Sequence, residues 1–474
     1  MRTGIILIVL ITCLGNTYRL LSQDTILGFG EAMRQVRSHH PVANAARLGP
    51  EIAKAQLMKA RGNFDPVGTG SISQKYFDSK QYYSLQGGQI KLPTRVGIDL
   101  MAGYESNGGI FLNQEASTPP GGLWYGGVSL PLGQGLLIDE SRADLWTSRL
   151  SAQNAILNQQ NMTNDLLFEA SEIYWEWFRS YHVMKIAEEA YANATQRFQA
   201  IKRYAGVGDR SMIDTTEAMI QIRNISILLD QARLDLAKTQ RYFSGYFWDE
   251  NGSNKELSSN ENPENTDRIF AEILGDQVTG MEELDFFDQQ NHPYLRQLVN
   301  KIEQLDIERR LKRDKLKPKA DLKYIPLAQN TGSNTLSQFS INNYRWGLEF
   351  KMPLFLRKER GDLKLAELKV READLFYRYK STELYNKFNN KITEWQVTTD
   401  QIRQSQQAVD LYSTMLGAET RLFESGESSV FLINAREQAL INSRIKLMEL
   451  LAKNRSAYYG IFYLAGKMAD TYTE

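Results

Sequence analysis

The most informative pattern in this chain is where the breakers of regular structure are missing. Residues 139–204 contain neither proline nor glycine, and residues 362–416 form a second such run. One helix over the first run would extend roughly 100 Å at 1.5 Å per residue, whereas the mean globular helix has about 11–12 residues. Each run ends in a glycine-bearing turn, at 203–209 and around Gly426, and a second unbroken stretch follows, 209–244 and 427–459. The apolar positions of these returning stretches repeat every seven residues. Ile213, Ile220, Ile227 and Leu234 make one stripe, and Ile222, Leu229 and Leu236 make a second. Val430, Ile433, Leu440, Leu447, Leu451 and Tyr458 mark the other returning stretch. Such spacing predicts coiled-coil packing, and two stripes on one helix predict neighbours on both sides.

The texture changes in 67–130 and 319–352, where apolar and polar residues alternate and aromatics and glycines are frequent. Both regions are predicted as β-hairpins. The first is about thirty residues longer, and Gly108, Gly109 and the Pro-Pro-Gly-Gly at 119–122 assign the excess to an extended loop. Residues 248–267 are polar and low in complexity, which predicts a surface linker.

Landmarks recur in one order. His40–Pro41 parallels His292–Pro293, and in each case another proline lies 25 residues on, at Pro66 and Pro318. Trp124 precedes Pro131, and Trp346 precedes Pro353, by seven residues. Arg203 precedes Gly208, and Arg421 precedes Gly426, by five. The spacing predicts an internal duplication. The first repeat spans 24–247, with a short helix, the hairpin 67–130, a long helix about 136–204 and a returning helix about 210–246. A linker at 248–270 leads to the second repeat, 271–474, with a short helix, the hairpin 319–352, a long helix about 357–422 and a returning helix about 428–465.

Composition narrows the setting. Lys+Arg and Asp+Glu both count 56, so no bulk positive field favours nucleic acid. Arg2 followed by the apolar run 5–14 reads as a signal peptide over 1–23, cleaved near 22–24. The single cysteine, Cys13, falls inside it, so the mature chain needs no disulfide. No later run of 18 apolar residues predicts a membrane helix, but strands of a β-barrel escape that test.

Together these motifs resemble the TolC family of outer-membrane efflux proteins over about 27–466. The family's opening helix, with Glu-Ala and a closing His-Pro, is matched by Glu31, Ala32, His40 and Pro41, and again by Asn291, His292 and Pro293. Its strand-to-helix joint is matched by Trp124 with Pro131 and by Trp346 with Pro353. Its helix-tip turn is matched by Arg203, Tyr204, Gly208 and Ser211, and by Arg421, Gly426 and Ser429, with Leu422 replacing the tyrosine. The resemblance implies a mixed α + β membrane protein. Three chains would form an α-helical periplasmic tunnel continuous with a 12-stranded barrel, four strands per chain, in the outer membrane of a Gram-negative bacterium. It implies passive export of substrate delivered by an inner-membrane pump through a periplasmic adaptor, the adaptor docking on the tips. It implies no enzyme activity and no cofactor.

The resemblance also places a gate just past each turn. The first half offers Asp214 and Glu217; the second offers Phe431, Leu432 and Asn434 where the family carries acids. A carboxylate in a first helical turn also serves simply to complement the dipole. His39, His40 and His292 adjoin prolines, and repeated use of one cap position explains them better than metal binding. His182 is expected on the surface of its helix or in a seam. Trp175, Trp177 and Phe178 are expected to pack in a core. The competing reading is a periplasmic coiled-coil adaptor or structural protein, but an adaptor should carry one lipoyl-like domain and no duplication.

Overall fold

The computed structural model describes residues 25–258, 260–275, 287–329 and 339–472. The expected signal peptide, with Cys13, lies outside the described residues. Two short helices open the first half, α1 (Phe29–His39) and α2 (Pro41–Gly62). The long helix α3 (Glu140–Gly206) has 67 residues and the returning helix α4 (Met212–Ser244) has 33. The second half supplies α6 (Pro293–Asp314), the 68-residue α7 (Arg357–Glu424) and α8 (Val430–Leu464), after a short α5 (Thr266–Gly275). Leu464 leads to a last turn, α9 (Met468–Thr471). Among the described residues no helix is long and apolar enough to cross a membrane.

The helices lie side by side. Along one end of the long helices, α2 packs on α3, α3 on α6 and α6 on α7; along the other, α4 packs on α3, α3 on α8 and α8 on α7. Of the two stripes predicted on α4, one is used within the chain: Ile222 and Leu229 are buried. The other is not. Ile213, Ile220, Ile227 and Leu234 stand 48–71% exposed, and so do Leu365, Leu368, Leu375 and Tyr379 on the far flank, α7, at 51–60%.

The sheet departs from the expectation. Region 67–130 holds four strands, β2 (Val67–Phe77), β3 (Lys80–Pro93), β4 (Asp99–Gly108) and β5 (Leu123–Pro131). With β7 (Lys319–Gln329) and β8 (Tyr344–Lys351) they form one antiparallel sheet in the order β2-β3-β4-β5-β7-β8. The chain therefore contributes six strands among the described residues, not four. The turn that hides the extra pair is made by Asp78 and Ser79, both at positive φ (53° and 57°). Consecutive positive φ values define the mirror-image turn that matches strand twist. The second turn closes at 94–98, where Thr94 Oγ1 accepts from the Ile98 N–H.

Pairing in register preserves residue parity across the sheet. Gly68 opposes Ile90, Ile90 opposes Ala102, Ala102 opposes Gly126, Val128 opposes Tyr324 and Tyr324 opposes Trp346. Partners in register share a face. Up to the irregularity between Lys75 and Tyr76, the even-numbered residues of all six strands lie on one face and carry no charge. That face exposes Ile72, Ile90, Leu100, Trp124, Trp346 and Phe350. The odd face carries ion pairs: Lys91–Asp99 at 2.8 Å, Arg345–Glu105 at 3.3 Å and Lys323–Glu349 at 3.8 Å.

Midway along α3 the chain has its main core. Tyr174, Trp175, Trp177 and Phe178 are at most 1% exposed and pack with Phe29, Met33 and Phe243. Segment 248–270, expected as a surface linker, is instead tied into this core. Its strand β6 (Glu261–Asn262) pairs in parallel with β1 (Thr25–Ile26), Ile269 is fully buried, and Glu264 is 4% exposed. The polar residues that made it look like a linker bond to backbone. Asp249 Oδ1 accepts from the N–H groups of Asn251 and Ser253, and Asn254 Nδ2 donates to the carbonyls of Ser244 and Phe247.

Candidate functional site

The two helix tips are built alike. Gly208 and Gly426 have φ of 85° and 81°, the left-handed region that glycine enters without strain. At each, two N–H groups turn back to the last helical carbonyls: Gly208 to Ala205 and Asp209 to Tyr204, Gly426 to Phe423 and Glu427 to Leu422. This satisfies carbonyls that a helix end leaves open. The next helix is then capped by serine, Ser211 accepting from the Ile213 N–H and Ser429 from the Leu432 N–H, both at 3.3 Å. A Cβ built on either glycine meets nothing within 4 Å, so backbone conformation alone demands the residue. Arg203, Tyr204 and Arg421 are exposed on the last helical turns.

The tips are not independent. Arg210 donates to the carbonyls of Phe423 (2.8 Å) and Ser428 (3.3 Å), and its guanidinium lies 4.2 Å from the centroid of the Phe423 ring. Below them Ile201, Ala218 and Val430 make a small apolar plug. Further up, Arg197 of α3 grips Glu437 of α8 through two hydrogen bonds of 2.7 and 2.9 Å and reaches the Asn434 Oδ1 at 3.4 Å. Both arginines escaped the sequence reading, because their partners lie more than 200 residues away.

A groove of about 570 Å³ between α4 and α8 brings together Glu217, Phe431 and Asn434. Asp214 and Leu432 are outside its lining. Phe431 is 63% and Leu432 39% exposed, so neither is held by packing within the chain. Asn434 is engaged by Arg197 rather than free.

At the other end of the long helices the joints differ. Pro131 closes β5, and Asp139 caps α3 by accepting from the Arg142 N–H at 2.8 Å. The Arg142 side chain is buried, returning to Asp139 at 2.7 Å and to the Leu136 carbonyl at 3.0 Å. Asp314 Oδ2 accepts from the Gly135 N–H at 2.6 Å. In the second joint Pro353 is exposed and Leu356 caps α7 at a φ of 47° with no side-chain bond. Trp124 and Trp346 both point from the even face; Trp124 packs on Tyr104 with centroids 5.0 Å apart.

His40 and His292 occupy equivalent caps. Each Nδ1 accepts from the N–H two residues on, Val42 and Tyr294, at 3.2 Å. Nε2 of His292 meets the Leu464 carbonyl at 3.1 Å. Burial lowers the pKa of both rings below 6.5, which keeps them neutral and able to accept. His182 sits in a seam, its Nε2 2.9 Å from the Glu264 carbonyl.

Residues 289–466 match the family model described as outer membrane efflux protein. No curated protein sequence matches the chain. Among solved structures, it is similar to the CmeC outer membrane channel of Campylobacter jejuni, with a TM-score of 0.61 and 12% identity over 93% of this chain and 86% of that one. The outer membrane protein VceC of Vibrio cholerae gives 0.62 and 14%, over 92% and 96%. The MtrE outer membrane channel of Neisseria gonorrhoeae, in its open state, gives 0.63 and 10%, over 93% and 89%. The TolC-family resemblance read from the tips, joints and His-Pro motifs thus holds for the fold.

Proposed function

We propose that this chain, matching the efflux-protein family over 289–466 and the fold of solved channels over 92–93% of its length, is the outer-membrane exit duct of a tripartite efflux or type I secretion system. The observation that carries this reading is the sheet. A soluble protein hides apolar residues and exposes charge, whereas here the uncharged even face is exposed and the ion pairs line the other. That inversion suits a wall with hydrocarbon outside and water within. Such a sheet cannot remain open in lipid, because unpaired backbone groups there cost several kcal/mol each.

Closure needs further copies, and apolar residues exposed on both flanks at each end of the layer supply the contacts. At the tip end these are the α4 stripe and, on α7, Leu411 and Leu422; at the barrel end they are Ile52 and Met58 of α2 and, on α7, Leu365, Leu368 and Leu375. Such flanks lie opposite one another, as a ring of repeated chains requires. In a homotrimer twelve long and returning helices would form a periplasmic tunnel, with Gly208 and Gly426 at its far end to dock the adaptor. The duct conducts passively; the inner-membrane pump supplies the energy. Glu217, Phe431 and Asn434 line the groove nearest the tips, and with Asp214 and Leu432 they are the gate candidates. An adaptor reading lacks a use for the uncharged sheet face.

The test is fractionation and recording. The mature protein should sediment with outer membranes, run as a trimer in mild detergent and form channels of low resting conductance in planar bilayers. A soluble monomer without channel activity would defeat the reading.

A further inference from the structure

We infer that each copy contributes all six strands to the membrane wall, so that three copies close an eighteen-stranded barrel in which β2 of one chain pairs with β8 of the next. This rests on the duct reading above and sharpens it. The first support is parity. The added pair β3 and β4 obeys the same division as the rest: Ile90, Leu92, Leu100 and Ala102 lie on the uncharged face, Lys91, Asp99 and Glu105 on the charged one. A hairpin lying over the mouth or inside the bore would have no reason to keep one face free of charge.

The second support is continuity. Ladder pairing runs unbroken in order from β2 to β8, and Arg345 of β8 reaches across to Glu105 of β4 on the charged face. The third is the state of the two ends. Every residue of β2 and of β8 is exposed, on both faces, and each strand has one unpaired edge. An even number of alternating strands leaves β2 and β8 antiparallel, so the edge of one copy accepts the edge of the next without a reversal. With 11 residues β2 reaches the outer-membrane span of about 9–11, and β8, with 8, falls one residue short of it. The second copy is thus the occupant these edges fit.

The consequence concerns size. Barrel diameter grows roughly linearly with strand number. Eighteen strands give a bore about one and a half times that of twelve at equal tilt, so the barrel is not the narrow point of the duct.

The expected cysteine-free mature chain makes the test direct. Ser71→Cys combined with Gly347→Cys or with Glu349→Cys should give covalent trimers on oxidation, since these odd positions share a face across the proposed seam. Ile72→Cys with Glu349→Cys, on opposite faces, should link at least tenfold less. A polarity-sensitive fluorophore on Ile90→Cys or Leu100→Cys should be quenched by brominated acyl chains, while on Gln89→Cys or Met101→Cys it should report water. A density map of the unmodified trimer should count eighteen strands. Trimers in the outer membrane that show twelve strands, or water at Ile90 and Leu100, would overturn this inference and leave the duct standing. Failure to find trimers in the outer membrane would overturn both.

Discussion

The tip of the first half and the tip of the second share one backbone solution but differ in how they are held. Both use a left-handed glycine and a serine cap. Only the first sends a side chain outward: Arg210 ties onto Phe423 and Ser428, while the residue in the equivalent place of the second tip is Ser428 itself. The first tip also supplies carboxylates, Asp214 and Glu217, where the second supplies Phe431 and Leu432. A conserved turn geometry therefore serves two chemistries. The turn sets where the helices reverse, and the flanking residues decide what faces the neighbour.

The largest expected effect comes from the tie above the tips. Arg197→Met leaves Glu437, 6% exposed in its side chain, without its partner. Breaking a buried pair on one side costs about 3–5 kcal/mol. The trimer should melt at lower temperature and its resting conductance should rise, and adding Glu437→Gln should restore part of both. Wild-type melting and conductance in Arg197→Met would show that this pair holds nothing.

Arg210→Ala is next, at about 1.5–3 kcal/mol for hydrogen bonds from a charged group. Because the arginine reaches from the first tip to the second, hydrogen exchange should quicken at 423–430 more than at 205–209. Equal quickening would erase the asymmetry. Gly208→Val and Gly426→Val should each cost about 1–2 kcal/mol of backbone strain. Efflux and adaptor cross-linking should fall in both while the trimer still inserts, and Asn at either position should recover them, since it tolerates positive φ. Normal efflux in both valine variants would sink the docking role.

Two smaller effects sharpen the contrast. Phe431→Ser or Leu432→Ser should raise conductance by wetting the second half's side of the gate, whereas Asp214→Ala should change cation selectivity. If none alters single-channel records, the gate lies elsewhere. Acid provides the last comparison, between the His40 and His292 caps. Burial lowers both pKa values, so the unfolded chain binds protons first as pH falls through 6.5. Stability should drop from there toward the folded pKa. His292→Asn should flatten the melting profile between pH 7.5 and 5, and His40→Asn should do so less, since His292 is the more buried ring. Parallel profiles for wild type and both variants would refute the assignment.

The helices and tips were legible because their signals are local. A run without glycine or proline, a glycine at the reversal and a serine three residues on carry the geometry in a few adjacent positions. The strand count was not. Asp78 and Ser79 form their turn at positive φ without glycine, so the usual marker is absent. The thirty extra residues of 67–130 signal added length, but their Gly-Gly and Pro-Pro-Gly-Gly runs read as loop rather than strand. Segment 248–270 misled for a different reason: side chains such as Asp249, Asn254 and Asn265, which read as solvent-loving, bond to backbone around a few buried anchors such as Leu257 and Ile269. Arg197 and Arg210 act across more than 200 residues, and no spacing rule reaches that far.

The unpaired edges of β2 and β8 bear on how the molecule is made. An open, exposed strand edge is a template for wrong partners as well as right ones. On the proposed assembly each newly exported chain carries two such edges until its neighbours arrive. Its stability then depends on protomer concentration.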